Sequence, residues 1–305
     1  MQLIKTTGIT GRKVAKSVDV VFPSMHGTYG EDGTLMGVLE MANVPYVGCG
    51  VPASAIAMDK VLSKEIALAN SIATPKYEYL IAETFQRKGA EVVKELEKSL
   101  RYPLFVKPAR LGSSIGITRV ENARELVNAI EVALHYDDKA IIEEAVQNLI
   151  EVTIPVMGNT ELIFGEVERP LPKEDGVFDF ETKYMNQGKG GKKMGGERGS
   201  QGYSQIPADI PSELREQSLE IAGCVYRAVG CEGIARIDLL IDGKAKKVYF
   251  NEINPLPGSL YAHNWRAAGI SNADLVAKLV SLAEERHSKK KNLATTFPTN
   301  FLKQF

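Results

Sequence analysis

The chain has 305 residues, with 37 Lys+Arg against 38 Asp+Glu and a formal net charge of -1. Hydrophobic residues at 44% and charged residues at 25% suit a globular enzyme with more than one core. The near-zero charge argues against a nucleic-acid binder working by bulk phosphate attraction, and no apolar run approaches the ~18 residues of a membrane span. Residues 1–16 lack the apolar core of a secretory signal. Three cysteines without CxxC spacing point to a reduced, cytoplasmic setting.

Residues 18–22 (VDVVF) are the first predicted strand, ended by Pro23. A polar turn rich in glycine follows, His26-Gly27-Thr28-Tyr29-Gly30-Glu31-Asp32-Gly33. Residues 34–42 place Leu35, Val38, Leu39 and Met41 at helical spacing, and residues 45–47 form a short strand. That order is a βαβ unit. A helix is predicted from about 54 to 69, an extended stretch over 76–81 and an amphipathic helix over 83–100. Strand 103–107, a glycine–serine loop, strand 117–120, a second amphipathic helix over 122–135 and strand 140–144 follow. Residues 152–157 and 161–167 read as a hairpin turning at Gly158-Asn159. Residues 183–203, rich in Gly and Lys and without periodicity, read as a long mobile loop. A helix over 212–229, strands 233–241 and 247–253, a last helix over 273–286 and a frayed polar tail from 289 complete the chain. There is no internal repeat, and the alternation is α/β (α+β).

The strongest local signal is Arg236-Ile237-Asp238 on one strand and Asn251-Glu252-Ile253-Asn254 on the next, joined by an Asp242-Gly243 turn. Alternate residues share a strand face, so Asp238, Glu252 and Asn254 can converge as hard oxygen ligands beside a guanidinium. That set suits Mg²⁺ held together with phosphates; a solvated surface ion pair is the equally weighted alternative. Lys107 precedes Gly112-Ser113-Ser114-Ile115-Gly116, a phosphate-cradling loop or an ordinary hairpin turn. No Walker A motif occurs, and Gly48-Cys49-Gly50-Val51-Pro52-Ala53 is only a weak dinucleotide fingerprint. Lys60 taken alone reads as an exposed helix lysine. The four histidines form no zinc pattern, Cys49 reads as a small buried thiol, and Trp265 as core or interface packing.

Taken together and in order, the motifs resemble the D-alanine–D-alanine ligase family of the ATP-grasp superfamily. They are His26-Gly27-x-x-Gly30-Glu31-Asp32-Gly33, Pro45-Tyr46-Val47-Gly48, Ala57-Met58-Asp59-Lys60, Phe105-Val106-Lys107-Pro108, Gly112-Ser113-Ser114-x-Gly116, Lys183-Tyr184, Arg236-x-Asp238 and Asn251-Glu252-Ile253-Asn254. They span about residues 18–282. The resemblance implies an ATP-grasp fold preceded by a shortened N-terminal α/β domain. Its expected parts are residues 1–58 (substrate domain), 59–145 (small ATP-grasp subdomain), 146–286 (C-terminal subdomain with lid 183–203) and 287–305 (polar tail).

The resemblance also implies roles. Lys60, Lys107, Lys183, Gly112 and Ser114 would contact ATP; Glu144, Ala145, Val146 and Gln147 would be the adenine hinge; Glu151 would bind the ribose. Asp238, Glu252 and Asn254 would hold two Mg²⁺ (or Mn²⁺) ions. Arg236 and the Gly258 backbone N–H would stabilise a tetrahedral oxyanion, while Ser113 and Tyr184 would position substrate. His26, Glu31, Ser259 and Leu260 fall at amino-acid-binding positions. The implied chemistry is phosphorylation of one D-alanine carboxylate by ATP and attack by the amine of a second, for peptidoglycan precursors, by a cytoplasmic homodimer needing no nucleic acid or membrane. An ATP-grasp ligase with another acceptor, or an inactive ATP-binding regulator, is the alternative. The intact Arg236, Asp238, Glu252 and Asn254 speak against inactivity. Three departures stand out. The family's Glu-His-x-Val-Ser helix start does not precede Val18, so the N-terminal domain is expected to be short by about one βα unit. Ser259 and Leu260 directly follow Gly258, where the family's serine comes several residues later. Leu149-Ile150 replaces the usual Gly-Arg before Glu151.

Overall fold

The computed structural model describes residues 2–7, 12–112, 115–171, 198–199 and 202–293. Ser113, Ser114, Lys183, Tyr184 and most of the expected lid lie outside these residues. The chain opens with β1 (Gln2–Thr7) and β2 (Arg12–Ser17), an antiparallel hairpin that the sequence reading missed. Residues 18–22 and 45–47 are not the expected strands. They meet in a single parallel bridge, Val21 to Tyr46, held by Val21 N–H to Pro45 O (2.9 Å) and Val47 N–H to Val21 O (3.0 Å). Pro23 and Pro45 lack the amide hydrogens needed to extend a ladder there. The βαβ order survives around that bridge, with α1 (Thr34–Met41) between its two sides. Gly33 begins α1 at φ 91, and a Cβ there would sit 2.9 Å from the Val51 carbonyl oxygen. Only glycine fits that junction.

The single helix expected from 54 to 69 is two, α2 (Val51–Met58) and α3 (Lys60–Ala69). Asp59 breaks them apart in an extended conformation, and its carboxylate accepts from Val61 N–H (3.0 Å) and Leu62 N–H (3.1 Å). An aspartate N-cap outcompetes helical continuity because it satisfies amides that otherwise lack partners.

Next come β3 (Tyr77–Ile81), α4 (Ala82–Ser99), β4 (Leu104–Pro108), β5 (Thr118–Val120), α5 (Ala123–Tyr136) and β6 (Lys139–Glu144). The strands pair antiparallel in the order β3-β6-β4-β5. Helices α4 and α5 close one face over Leu104, Val106, Val120, Leu126, Ile130 and Ile142, a separate core. Alternation turns Lys107, Ile141 and Glu143 to the other face.

The chain continues with β7 (Leu149–Met157), β8 (Ile163–Phe164), β9 (Arg169–Pro170), β10 (Arg198–Gly199) and β11 (Gly202–Gln205). The expected hairpin at Gly158-Asn159 is present, with β7 antiparallel to β8. The end of the loop predicted over 183–203 is not irregular, because β10 and β11 pair there and β11 continues onto β9. Then follow α6 (Ser212–Ala228), β12 (Ile234–Asp242), β13 (Lys247–Asn254), a 3-10 turn (Gly258–Tyr261), α7 (Ala262–Ala267) and α8 (Asn272–Lys291). The second sheet has the order β13-β12-β7-β8. Its buried face, with Ile154, Ile237, Leu239, Ile241 and Phe250, packs on α2 and α6. The last helix outruns its expected end and takes in residues assigned to the tail, because Lys289, Lys290 and Lys291 suit its C-terminal dipole. Trp265 and Cys49 are fully buried. Among the described residues no helix is long and apolar enough to cross a membrane.

Candidate active site

The cleft between the two sheets is lined with charge. Lys60 opens α3, and it is buried rather than exposed, contrary to its reading in isolation. Its Nζ donates to Leu111 O (2.8 Å), at the edge of the glycine–serine loop, and lies 3.3 Å from Glu252 Oε2. One turn later Lys64, 0% exposed, pairs with Glu143 Oε1 at 2.8 Å and donates to Phe250 O at 3.3 Å. Lys107 on β4 takes the other oxygen of Glu143 and reaches Asn251 Oδ1 at 3.4 Å.

One buried carboxylate thus serves two buried ammonium groups. Burial opposes the Glu143 charge, but Lys107 and Lys64 outweigh it and hold this carboxyl at about 2. Burial also opposes the Lys107 charge, yet Glu143 leaves its pKa raised; for Lys64 burial wins and the pKa falls. Lys107 and Lys64 against Glu143 leave one positive charge over at the cleft, which is suited to an anion. Gly112 lies at that edge. Gly116 ends the loop at φ 70, where a Cβ would come 2.9 Å from Pro108 Cγ.

Glu144, Ala145, Val146 and Gln147, expected to be the adenine hinge, border a cavity of about 660 Å³ that Tyr77 and Tyr249 also line. The cavity does not take in Lys60, Lys107 or Glu252. Glu144 N–H donates to Lys76 O and its carboxylate accepts from Arg101 N–H (3.0 Å), so this side chain braces that segment. Glu151 stands on β7 opposite Leu240, and its charge is felt by Lys107.

On the second sheet, direct cross-strand partners share a face, so Glu252, Asp238 and Thr153 lie in a row. Arg236 and Asn254 form the neighbouring row on that face. Arg236 Nε donates to Asp238 Oδ1 at 2.8 Å and its Nη2 to Oδ2; Nη2 is also 3.9 Å from Glu252. Burial, reinforced by Glu252, raises the Asp238 pKa against the pull of Arg236. Two carboxylates crowded on one face, with an amide oxygen in the next row, suit a hard divalent cation that is also held by phosphate oxygens. Asn254 Oδ1 accepts from Leu256 N–H (3.0 Å), which fixes that amide in place. Among the described residues no group of three or more His, Cys, Asp or Glu is placed to hold a metal by itself.

The remaining predicted residues gather at the far end of the cleft. Glu31, 7% exposed, accepts from Gly27 N–H and lies 3.7 Å from His26 Nδ1. The His26 ring lies against Gly258, where an added Cβ would meet Cε1 at 3.5 Å. Ser259 and Leu260 follow, both in the left-handed region at φ 46 and 54. The structure therefore brings together Lys60, Lys107, Arg236, Asp238, Glu252 and Asn254 at one end and His26, Glu31, Gly258 and Ser259 at the other. Sequence reasoning missed Lys64 and Glu143, and gave Asn251 no role of its own within the motif that names it. The available signals were a lysine four residues after Lys60 on one helix face and an acid on the cleft side of a buried strand.

The profile of the D-ala D-ala ligase C-terminus matches residues 66–281, and that of the D-ala D-ala ligase N-terminus matches residues 2–49. A D-alanine–D-alanine ligase of Caldicellulosiruptor bescii is 38% identical over 280 residues, covering 90% of this chain and 73% of the relative. Among solved structures, the VanG D-Ala:D-Ser ligase of Enterococcus faecalis aligns at TM-score 0.74 and 35% identity, over 88% of this chain and 74% of that one. The D-alanine-D-alanine ligase of Coxiella burnetii aligns at TM-score 0.76 and 27% identity, over 95% and 76%.

Proposed function

The chain belongs to the D-alanine–D-alanine ligase family, and from that premise we propose how its own residues divide the work. It has the ATP-grasp fold and is an ATP-using ligase that joins two D-alanines for peptidoglycan precursors. In our reading, Lys60 and Lys107 bind the nucleotide phosphates, with Glu143 and Lys64 fixing Lys107 beneath them. The loop from Gly112 through Ser113 and Ser114 closes over the phosphates. Residues Glu144 to Gln147 receive the adenine, and Glu151 the ribose. Lys183, Tyr184 and Ser113 act from the lid and the loop.

Asp238, Glu252 and Asn254 would hold two Mg²⁺ ions, which would supply Lewis-acid charge neutralisation to the phosphoryl group. Arg236 and the Gly258 N–H face the oxyanion that develops at the acyl carbon. His26 and Glu31 orient the first D-alanine, and Ser259 and Leu260 the second. A cytoplasmic homodimer completes the reading, in keeping with the family resemblance.

The observation that carries this reading is the convergence of Lys60, Arg236, Asp238 and Glu252 from α3, β12 and β13 onto one face of the cleft. The test is ADP release from ATP and Mg²⁺ with single D-amino acids or D-lactate, with the product mass recorded. ADP that appears with D-alanine, alongside a D-alanyl-D-alanine mass, is the expected result. ADP formed only with a different acceptor replaces the substrate, and ATP binding without turnover under any acceptor sinks the ligase assignment.

A further inference from the structure

Beyond Asp238, a second set of contacts reaches Arg236. Its Nη1 donates to Tyr261 Oη at 3.1 Å, and its guanidinium carbon stands 5.1 Å from the Tyr261 ring centroid. That ring is 1% exposed and packs on His263 at 5.4 Å between centroids, tilted by 34°. His263 Nε2 lies 3.0 Å from Glu168 Oε2, in a pair almost wholly buried. Glu168 in turn exchanges backbone hydrogen bonds with Thr153 (2.8 and 3.0 Å), whose hydroxyl donates to Asp238 Oδ1 at 2.9 Å. The contacts close into a ring running Arg236, Tyr261, His263, Glu168, Thr153, Asp238 and back to Arg236.

The ring passes through strained backbone. Ser259, Leu260 and Tyr261 are three consecutive residues with side chains in the left-handed region, at φ 46, 54 and 52. A side chain in that region is disfavoured against the right-handed form. Such a run persists only where its surroundings over-determine it. Here Leu260 N–H donates to Pro257 O (3.1 Å), and the fully buried Trp265 donates through Nε1 to Leu260 O (3.0 Å). The Tyr261 hydroxyl on Arg236 is the third anchor. A buried carboxylate–imidazole pair is costly to desolvate, and it stiffens whatever packs on it.

We propose that Tyr261, braced by the buried His263–Glu168 pair, is a positioning residue that ties the turn bearing Ser259 and Leu260 to the guanidinium of Arg236. This rests on the roles given above to Arg236 and to that turn. In ligation the acceptor nitrogen bonds to the acyl carbon, the carbon–oxygen bond to phosphate breaks, inorganic phosphate leaves, and the nitrogen gives its extra proton to solvent. Water can attack the same carbon, returning D-alanine and phosphate. Both routes release one ADP, so the ratio of ADP to dipeptide reports how well the acceptor is held against the carbonyl that Arg236 faces. The Tyr261 tether favours the amine, because it holds the acceptor turn and the oxyanion group in one register.

The test measures this ratio, kcat and the KM for ATP. Wild type is expected near one ADP per dipeptide; a wild type that makes no dipeptide refutes the functional reading itself, not this inference. Tyr261→Phe keeps the ring and removes the hydroxyl. It should lower kcat for dipeptide about tenfold and raise the ratio at least about threefold, while the KM for ATP stays within about twofold. Glu168→Gln, at the far end of the same contacts, should raise the ratio by a smaller factor and carries the readout if Tyr261→Phe fails to fold. The double variant should be no worse than Tyr261→Phe alone. A ratio unchanged from wild type in the folded variant, whatever the rate, overturns the proposal. Multiplying effects in the double variant remove Glu168 and His263 from it.

Discussion

The two ends of the cleft are built by opposite means. At the proposed nucleotide end, regular helix and sheet present Lys60, Lys64 and Lys107, and stability comes from ion pairing in a dry interior, two ammonium groups on the single carboxylate of Glu143. At the proposed amino-acid end, the side chains sit on turns. Three consecutive left-handed residues there are anchored by Pro257, Trp265 and Arg236. A site for a highly charged, invariant ligand can be fixed by charge and regular structure. A site for a small amino acid needs shape, which backbone strain held by a few anchors would supply at the proposed end.

The largest test of this contrast is Glu143→Ala. Removing the shared carboxylate leaves two buried ammonium groups unpaired, a loss of about 3–5 kcal/mol, read by urea unfolding. A loss below about 1 kcal/mol would mean the lysines are not held as the structure places them. The pH dependence follows from the same group. The folded Glu143 pKa, about 2, is depressed below the ordinary 4.5, so its contribution is fully present above about pH 4.5 and is lost as pH falls toward 2. Unfolding of wild type and Glu143→Gln compared from pH 7 to 2 should therefore show the stability gap narrowing only below about pH 5.

Next in size is Glu252→Gln, which keeps the shape but removes a carboxylate shared by Lys60 and the proposed metal ions. Turnover should fall about 10²–10³-fold. Near-normal rates would remove Glu252 from the metal set. The smallest effect should come at the strained end. Ser259→Gly relieves a left-handed residue and should stabilise the fold by up to about 1 kcal/mol in thermal unfolding, while raising the KM for the second amino acid. A variant that is both less stable and unchanged in KM would show that the strain is not stored for substrate binding.

Much of the sheet architecture was legible because amphipathic helices and alternating strands announce themselves locally. The expected segments for α4, α5, α6, β12 and β13 lie within a residue or two of those observed. The Arg236, Asp238, Glu252 and Asn254 constellation was legible too, because period-two alternation places those side chains on one face before any fold is known. Two of the errors fell where single residues overrode the pattern: Asp59 as a cap dividing one helix into two, and Pro23 and Pro45 reducing two strands to a bridge.

The sequence by itself determined the family, the order of its motifs and the residue set proposed for the nucleotide end, since those rest on residue types at fixed local spacing. Only the tertiary structure decided that Lys64 and Glu143 stand behind Lys107, or that Glu168 and His263 stand behind Tyr261. These partners lie 79, 36 and 95 residues apart in pairs that no local period links. Buried charges find their partners through the packing of whole elements, and what brings them together is the cost of leaving one unpaired once water is gone.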